Sequence, residues 1–305
     1  MRRPLQPTRV SVRVPASTTN LGPGFDVLGM ALGLYNSVTL EVTDGGLLIE
    51  VEGQGAEALP RDETNIVYGA AREAFDRIGF DPGGLRITLV NQIPLASGLG
   101  SSAAARVGGL VAANRLAGRK LTAQTLLDCA LALEGHPDNA VPALVGGVTV
   151  ACLVGGQVTY LRLPAPKALK AVVLVPEYRV LTAEARRVLP DKVPMADAVF
   201  NISRASMLVA ALLSRRWELL REAMKDRLHQ PYRKTLVPHM DEVFEAAYDA
   251  GARGVAMSGA GPSIVAFATE KTEAIGEAMK SCLARHGVGG QSLVLGIDEE
   301  GTREI

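Results

Sequence analysis

Three hydroxyls and two glycines in Pro94-Leu95-Ala96-Ser97-Gly98-Leu99-Gly100-Ser101-Ser102-Ala103-Ala104-Ala105 carry the strongest chemical signal in the chain. An alternating apolar run ahead of it (Leu85, Ile87, Leu89) reads as a strand. The Ala/Leu/Val-rich segment behind it, up to Ala117, reads as a helix closed by Gly118. A strand that feeds a glycine-rich turn into a helix N-terminus leaves backbone N–H groups unpaired, aims them into the turn and adds the positive end of the helix dipole. That arrangement cradles phosphate. It is not a Walker loop, which needs a lysine that is absent between Ser97 and Ala105, nor a dinucleotide fingerprint, because Gly98-Leu99-Gly100 runs into Ser-Ser-Ala. Read by itself, G-x-G-S-S fits equally well a tight turn with serine as N-cap. Glu134 ends a helix, where its carboxylate faces the negative end of the dipole at a cost of roughly a few tenths of a kcal/mol when exposed. A Mg2+ ion would remove that penalty, because hard cations take carboxylate oxygens together with phosphate and water; an ordinary surface position is the alternative reading. His136-Pro137-Asp138-Asn139 packs three functional side chains into one turn, although turns are rich in Asp, Asn and Pro for local reasons.

These groups need a scaffold, and the periodicity supplies one. Residues 8–14 alternate strictly and read as a strand that ends at Pro15, followed by a polar, glycine-rich loop over 15–29. Such a long connection without regular pattern tends to be functional. Strands follow at 35–42 and 47–52, joined across Asp44-Gly45-Gly46 as a hairpin. Thr64-Asn65 opens a helix over 66–78 stopped by Gly79, and Thr122 caps a helix that ends at Gly135. A strand region spans 146–153. Pro164-Ala165-Pro166 marks a boundary between domains at 1–163 and 167–305. The second half reads as a strand at 171–175, a polar segment at 181–200, and helices at 201–213, 216–226 and 238–249. It continues with strands at 254–257 and 263–268 flanking a glycine loop, a helix at 272–285 and a last strand at 292–297. Mixed strands and helices in both halves give an α+β class.

Composition narrows the function classes. With 305 residues the chain can bury two cores of ordinary size, and 48% hydrophobic against 21% charged residues describes a globular protein rather than a disordered one. Lys+Arg and Asp+Glu balance at 32 each, so no basic excess points to nucleic acid or an anionic membrane. The first nine residues lack the apolar core of a signal peptide, and no run is expected to reach the roughly 18 apolar residues of a membrane span. Cys129, Cys152 and Cys282 are odd in number, far apart and each in an apolar stretch, which suits buried thiols in a reducing cytoplasm.

The full string P-x-x-x-G-L-G-S-S-A-A resembles the ATP-binding motif of the GHMP small-molecule kinases, and Pro15-Ala-Ser-Thr-Thr-Asn-Leu-Gly-Pro-Gly-Phe-Asp26 resembles the N-terminal signature of their homoserine-kinase branch. Thr182-Ala-Glu-Ala-Arg-Arg-Val-Leu-Pro190, Asp226-Arg-Leu-His-Gln-Pro-Tyr-Arg233 and Gly254-Val-Ala-Met-Ser-Gly-Ala-Gly-Pro-Ser263 match further family motifs in family order, so the resemblance spans nearly the whole chain. It implies a two-domain α+β GHMP kinase fold with the site in the cleft, and a cytoplasmic enzyme, commonly a homodimer. The activity implied is Mg2+-ATP-dependent phosphorylation of L-homoserine on the route to threonine. It also implies roles. Pro94 to Ala103 hold the phosphates of ATP and Thr64-Asn65 lie on the adenine side. Ser102, with Ser101 as the fallback, and Glu134 hold Mg2+. Asn20, Asp26, His136, Asn139, Thr182, Arg186, Arg233 and Gly259 contact the amino acid. Arg186 and Arg233 are selected by the motifs over neighbouring arginines, and a planar guanidinium suits a carboxylate in a bidentate grip. Asn139 is expected to face the acceptor hydroxyl and Asp138 to brace the turn, with no general base. Two arginines for a carboxylate together with Asp26 for an ammonium favour an amino acid over the acceptor of a mevalonate-type GHMP kinase. A catalytically silent sensor would have lost Glu134 or the cradle serines, and a dehydrogenase would carry the dinucleotide fingerprint.

Overall fold

The computed structural model describes residues 7–305; most of the polar N-terminal stretch read as lacking a signal peptide lies outside the described residues. Six strands come first: β1 (Arg9–Asn20), β2 (Gly24–Thr43), β3 (Gly46–Gly53), β4 (Gly84–Asn91), β5 (Val148–Val154) and β6 (Gln157–Leu163). They are followed by β7 (Lys170–Pro176), β8 (Gly254–Met257), β9 (Ile264–Ala268), β10 (Gly290–Leu295) and β11 (Arg303–Glu304). One sheet runs β11-β1-β2-β4-β3, with β5 joining β2 and β6 joining β5; the other runs β10-β7-β9-β8. Helices α1 (Ile66–Ile78), α2 (Ser101–Leu116), α3 (Ala123–Glu134) and α4 (Ala140–Val145) belong to the first sheet. In the second half come α5 (Thr182–Arg187), α6 (Met195–Ser214), α7 (Leu220–Ala223), α8 (Gln230–Arg233), α9 (Met240–Asp249) and α10 (Thr272–Ala284). The mixed α+β architecture expected from the sequence is what the chain adopts.

Strand β7 shows how the halves are joined. Its side chains alternate, so Ala171, Val173 and Val175 enter the large core shared with the first sheet, while Val172 and Leu174 pack with α9 and α10 in a second core. The short β11 carries the chain end back to β1, pairing Val12 with Glu304.

Several sequence expectations need correction. Of the three cysteines expected to be buried, Cys152 is exposed, because β5 runs out into solvent beyond Ala151. Residues 35–42 and 47–52 are not a hairpin: β4 lies between them, antiparallel to β2 and parallel to β3. Leu85, Ile87 and Leu89 are buried and demand a central strand, whereas β3 turns Glu50 and Glu52 outward and suits an edge. The expected loop over 15–29 is mostly strand, with only a tight turn at Leu21–Pro23 (residues 21–23). Ser17, Thr18 and Thr19 pair across to Ala31, Met30 and Gly29, and their buried hydroxyl-bearing side chains face other loops instead of water. The polar segment 181–200 holds α5 and the first turns of α6. The helix expected at 216–226 is a 3-10 turn followed by the four residues of α7. Helix α6 also departs from the expectation that no segment has the length and apolarity of a membrane span. It has 20 residues and a mean hydropathy of 1.4. Asn201 on it is buried and donates to Pro23 O and Asp226 Oδ1, which ties the helix to the protein.

Candidate active site

The turn between β4 and α2 is positioned by its two glycines. Gly98 and Gly100 sit at φ +80° and +70°, and a Cβ at Gly98 would stand 2.1 Å from the Ser258 carbonyl oxygen. At Gly100 it would stand 2.1 Å from Ser17 Oγ. Only glycine combines this left-handed backbone with so close an approach. Gly100 is itself the N-cap of α2 and no side chain caps the helix, so the serine cap considered from the sequence does not form. The first helical bond runs from Ala104 N to Gly100 O, which leaves the N–H groups of Ser101, Ser102 and Ala103 facing the cleft side of the turn.

Two other segments lock this turn. Ser17 N donates to Leu99 O, and Ser263 N donates to Ser97 O. Ser258 Oγ lies 2.7 Å from Gly98 O and 2.9 Å from Thr18 Oγ1. The cradle, the first strand and the glycine loop of the second half are therefore one hydrogen-bonded unit. Around it lies a cavity of about 300 Å³ lined by Thr19, Asn20, Asp26, residues 96–98 and 100–103, Arg106, Glu134, His136, Asp138, Asn139, Thr182, Arg186, Arg233 and Gly259. A more apolar cavity of about 260 Å³ adjoins it, sharing Ala96, Ser101 and Ser102 and reaching Thr64, Asn65, Pro60 and Leu95. Pro94 and Leu99 line neither; Leu99 is buried beneath the turn. Asn65 uses its side chain as the cap of α1, accepting from Val67 N and donating to Pro60 O.

On the metal side, Ser102 Oγ lies 2.9 Å from Glu134 Oε1. Arg106, four residues along the same face of α2, contacts both groups: it donates to Ser102 Oγ at 2.6 Å and is ion-paired with Glu134. Spacing alone could have found Arg106, since i and i+4 share a helix face.

The substrate side is denser than the motifs suggested. Asp26 and Arg186 form a bidentate pair at 2.8 and 3.0 Å. Burial opposes charge on Arg186, yet the hydrogen bonds and charge of Asp26 outweigh it and raise the guanidinium pKa. Asn20 donates to Gly259 O at 2.8 Å and accepts from Asp26 N, which fixes the Asp26 backbone in its left-handed conformation. Asp138 Oδ1 takes His136 Nδ1, Asn139 N and Asn139 Nδ2, all within 3.2 Å. Asn139 Oδ1 accepts from Ser17 Oγ, so one hydrogen of Nδ2 is left over for a ligand. The bond to Asp138 raises the His136 pKa against the opposing effect of burial.

Arg233 is 2% exposed and bonds only to Ala185 O, Gly259 O and His229 Nδ1 among the described residues. Among the described residues no carboxylate pairs with it. Burial, then the nearby Arg186 charge, pull its pKa down to about 10. A guanidinium desolvated this far without a paired anion is poised to receive one. Its support went unread in the sequence: His229 Nε2 bonds Gly22 O at 2.7 Å, which leaves Nδ1 as the acceptor for Arg233. Asp226 caps the turn through Leu228, His229 and Gln230 N–H groups. Phe25 stacks on His229.

Comparison with known proteins agrees with this geometry. Residues 65–147 match the family model for the GHMP kinases N terminal domain, and 208–288 match the model GHMP kinases C terminal. The homoserine kinase of Carboxydothermus hydrogenoformans is 46% identical, covering 97% of each chain. The homoserine kinase of Caldanaerobacter subterraneus is 49% identical over 85% of this chain and 83% of its own. Among solved structures, homoserine kinase from Cytophaga hutchinsonii superposes with a TM-score of 0.91 at 34% identity, covering 100% of both chains. A mevalonate kinase structure matches at a TM-score of 0.71 and 15% identity, which shows a shared fold. With a homoserine kinase 46% identical along nearly its whole length, the chain belongs to the homoserine kinase family of the GHMP kinases.

Proposed function

We propose that this cleft transfers the γ-phosphoryl group of ATP to the hydroxyl of L-homoserine, forming O-phospho-L-homoserine and ADP. The observation that carries the reading is Arg233, a buried guanidinium without a carboxylate partner, in the same cavity as a cradle of free backbone N–H groups. The phosphates of ATP lie along residues 94–103 on the N–H groups of Ser101, Ser102 and Ala103, and the adenine enters the apolar cavity beside Thr64 and Asn65. Arg233 and Arg186 take the substrate carboxylate and Asp26 the ammonium group, Arg186 and Asp26 giving up part of their mutual bidentate pair for these contacts, with Asn20 and Gly259 holding Asp26 and Arg233 in place. Thr182 and His136 line the remaining wall.

Mg2+ fits the donors present. Ser102 Oγ and Glu134 Oε1 converge as hard oxygens, and a cation, Arg106, already rests against both. Bound there, Mg2+ would neutralise charge on the phosphate oxygens. In its absence Arg106 keeps the Glu134 carboxylate compensated.

The chain's own residues act by position. The cradle N–H groups hold the transferring phosphate, the arginines exclude alternative poses of the amino acid, and Asn139 orients the acceptor hydroxyl through its free Nδ2 hydrogen. Asp138 braces that turn. The hydroxyl proton leaves late, to the phosphoryl group or water, as a loose transition state allows.

The chain divides in this reading at residues 1–163 and 167–305, with β11 handed back to the first sheet. The free cysteines support a cytoplasmic enzyme, and the exposed Met195, Val199, Ile202 and Leu213 of α6 support a homodimer. The test is ADP release from Mg2+-ATP with homoserine, mevalonate or galactose as acceptor. Homoserine alone should be phosphorylated; ADP release independent of homoserine would overturn the assignment.

A further inference from the structure

Outside the cavities of the cleft, two of the chain's four histidines lie face to face. His239 precedes α9 and His286 follows α10, and their rings stack with centroids 3.6 Å apart and an interplanar angle of 10°. Both aim a nitrogen at one carboxylate: His239 Nδ1 lies 2.9 Å from Glu242 Oε1, and His286 Nε2 lies 2.7 Å from Glu242 Oε2. The three ligand atoms lie within 4.8 Å of one another. The packing beneath them fixes this convergence, since Val243 and Ala247 of α9 meet Ile275, Met279 and Leu283 of α10 in one buried cluster. His239 also sits at φ +62°, in the left-handed region.

We propose that His239, Glu242 and His286 form a binding site for a divalent transition-metal ion of the Zn2+ or Co2+ class. Two imidazole nitrogens and one carboxylate oxygen are the donors that such ions take; because a ring lone pair lies in the ring plane, the two stacked rings turn apart about their side-chain bonds to bring both nitrogens onto one ion. The side chains remain partly exposed, at 32%, 54% and 29%, which leaves a fourth position open to water. Mg2+ and Ca2+ prefer all-oxygen sets, so this site is chemically distinct from Ser102 and Glu134. Simple hydrogen bonding of two imidazoles to one carboxylate is the competing account, and it predicts no metal affinity. An ion here clips the start of α9 to the end of α10. It binds the folded chain only, so it raises stability without entering the cleft.

The full chain, stripped with chelator, is titrated with Zn2+ by calorimetry and with Co2+ by visible absorption, in the presence of excess Mg2+. One equivalent should bind, Zn2+ should raise Tm, and Co2+ should give the intense absorption of a low-coordinate nitrogen–oxygen site. His286→Ala, at an exposed position beyond α10, should weaken binding by at least the roughly 10–100-fold that loss of a group merely supporting a metal ligand costs. Its metal-free Tm and its homoserine-dependent ADP release should match the parent. Glu242→Gln gives a second, independent reading and should weaken binding as well. Absence of saturable one-to-one binding, or binding that survives both substitutions, would overturn the site. Neither result bears on the kinase assignment, which ADP release reports separately.

Discussion

Asn139 and Asp138 share one turn but differ in what they leave free. Asn139 spends its carbonyl on Ser17 and one amide hydrogen on Asp138, so its remaining N–H is a fixed pointer. Asp138 spends one oxygen on three donors. In the base-free reading, Asn139→Leu lowers kcat/KM more than Asp138→Asn does. General-base catalysis would contribute about 10²–10⁴-fold. A loss of that size in kcat for Asp138→Asn alone, with the acidic limb of the pH–rate profile gone, would make Asp138 the base. His229 and His136 respond to pH in opposite senses. Burial lowers the pKa of His229 below its ordinary 6.5, so its contribution to stability is full above that value and is lost as pH falls toward the folded-state pKa. Protonation there also sets a cation against Arg233. His136 is raised instead, so its contribution is full below 6.5 and is lost as pH rises through its folded-state value. Thermal melts from pH 7.5 downward should show Tm falling below about 6.5, and His229→Gln should remove part of that fall. These side chains were only half legible in the sequence. Motifs marked Arg233 and His136, and the four-residue spacing of His229 from Arg233 carried the same signal as that of Ser102 and Arg106, but nothing in the spacing revealed that Asp26 and Arg186 pair.

Among the elements, capping residues were the most readable. Asn65 and Thr122 cap α1 and α3 through their side chains, and Gly79 and Gly135 end those helices in the left-handed conformation, as read from the sequence. Pairing was the least readable. Asp44-Gly45-Gly46 marks a reversal but cannot say that β4, some 30 residues onward, will enter between the strands it joins. The loop over 15–29 was misread for a related reason: its prolines and glycines signal irregularity, while its buried threonines are satisfied only by segments distant in sequence. The cradle turn belongs to this scale as well. Gly100→Ala would place a Cβ against Ser17 and Asn139, in a backbone region unfavourable to alanine. We expect destabilisation of about 1–3 kcal/mol and loss of ATP binding, read by denaturant melts and nucleotide titration. Near-parental ATP affinity would mean that the turn does not hold the phosphates.

In the molecule as a whole, the cleft exists because three segments far apart in sequence close on one another. The first strand, the cradle and the 258–263 loop interlock through Ser17, Thr18, Ser97 and Ser258, and the core of β7 runs on into the first sheet. This arrangement makes Arg186 and Arg233, from the second half, face a phosphate cradle from the first. The central claim is that these arginines read the substrate carboxylate, so the direct measurement compares L-homoserine with 3-aminopropan-1-ol, which lacks only that group. For the parent, kcat/KM should drop by about 30-fold or more, since losing one partner of a desolvated charge pair costs roughly 2–5 kcal/mol. In Arg186→Met, a change at a half-exposed position, that discrimination should fall, with Arg233 keeping part of it, while ATP affinity stays near parental. Equal use of both acceptors by the parent, or undiminished discrimination in Arg186→Met, would contradict the account.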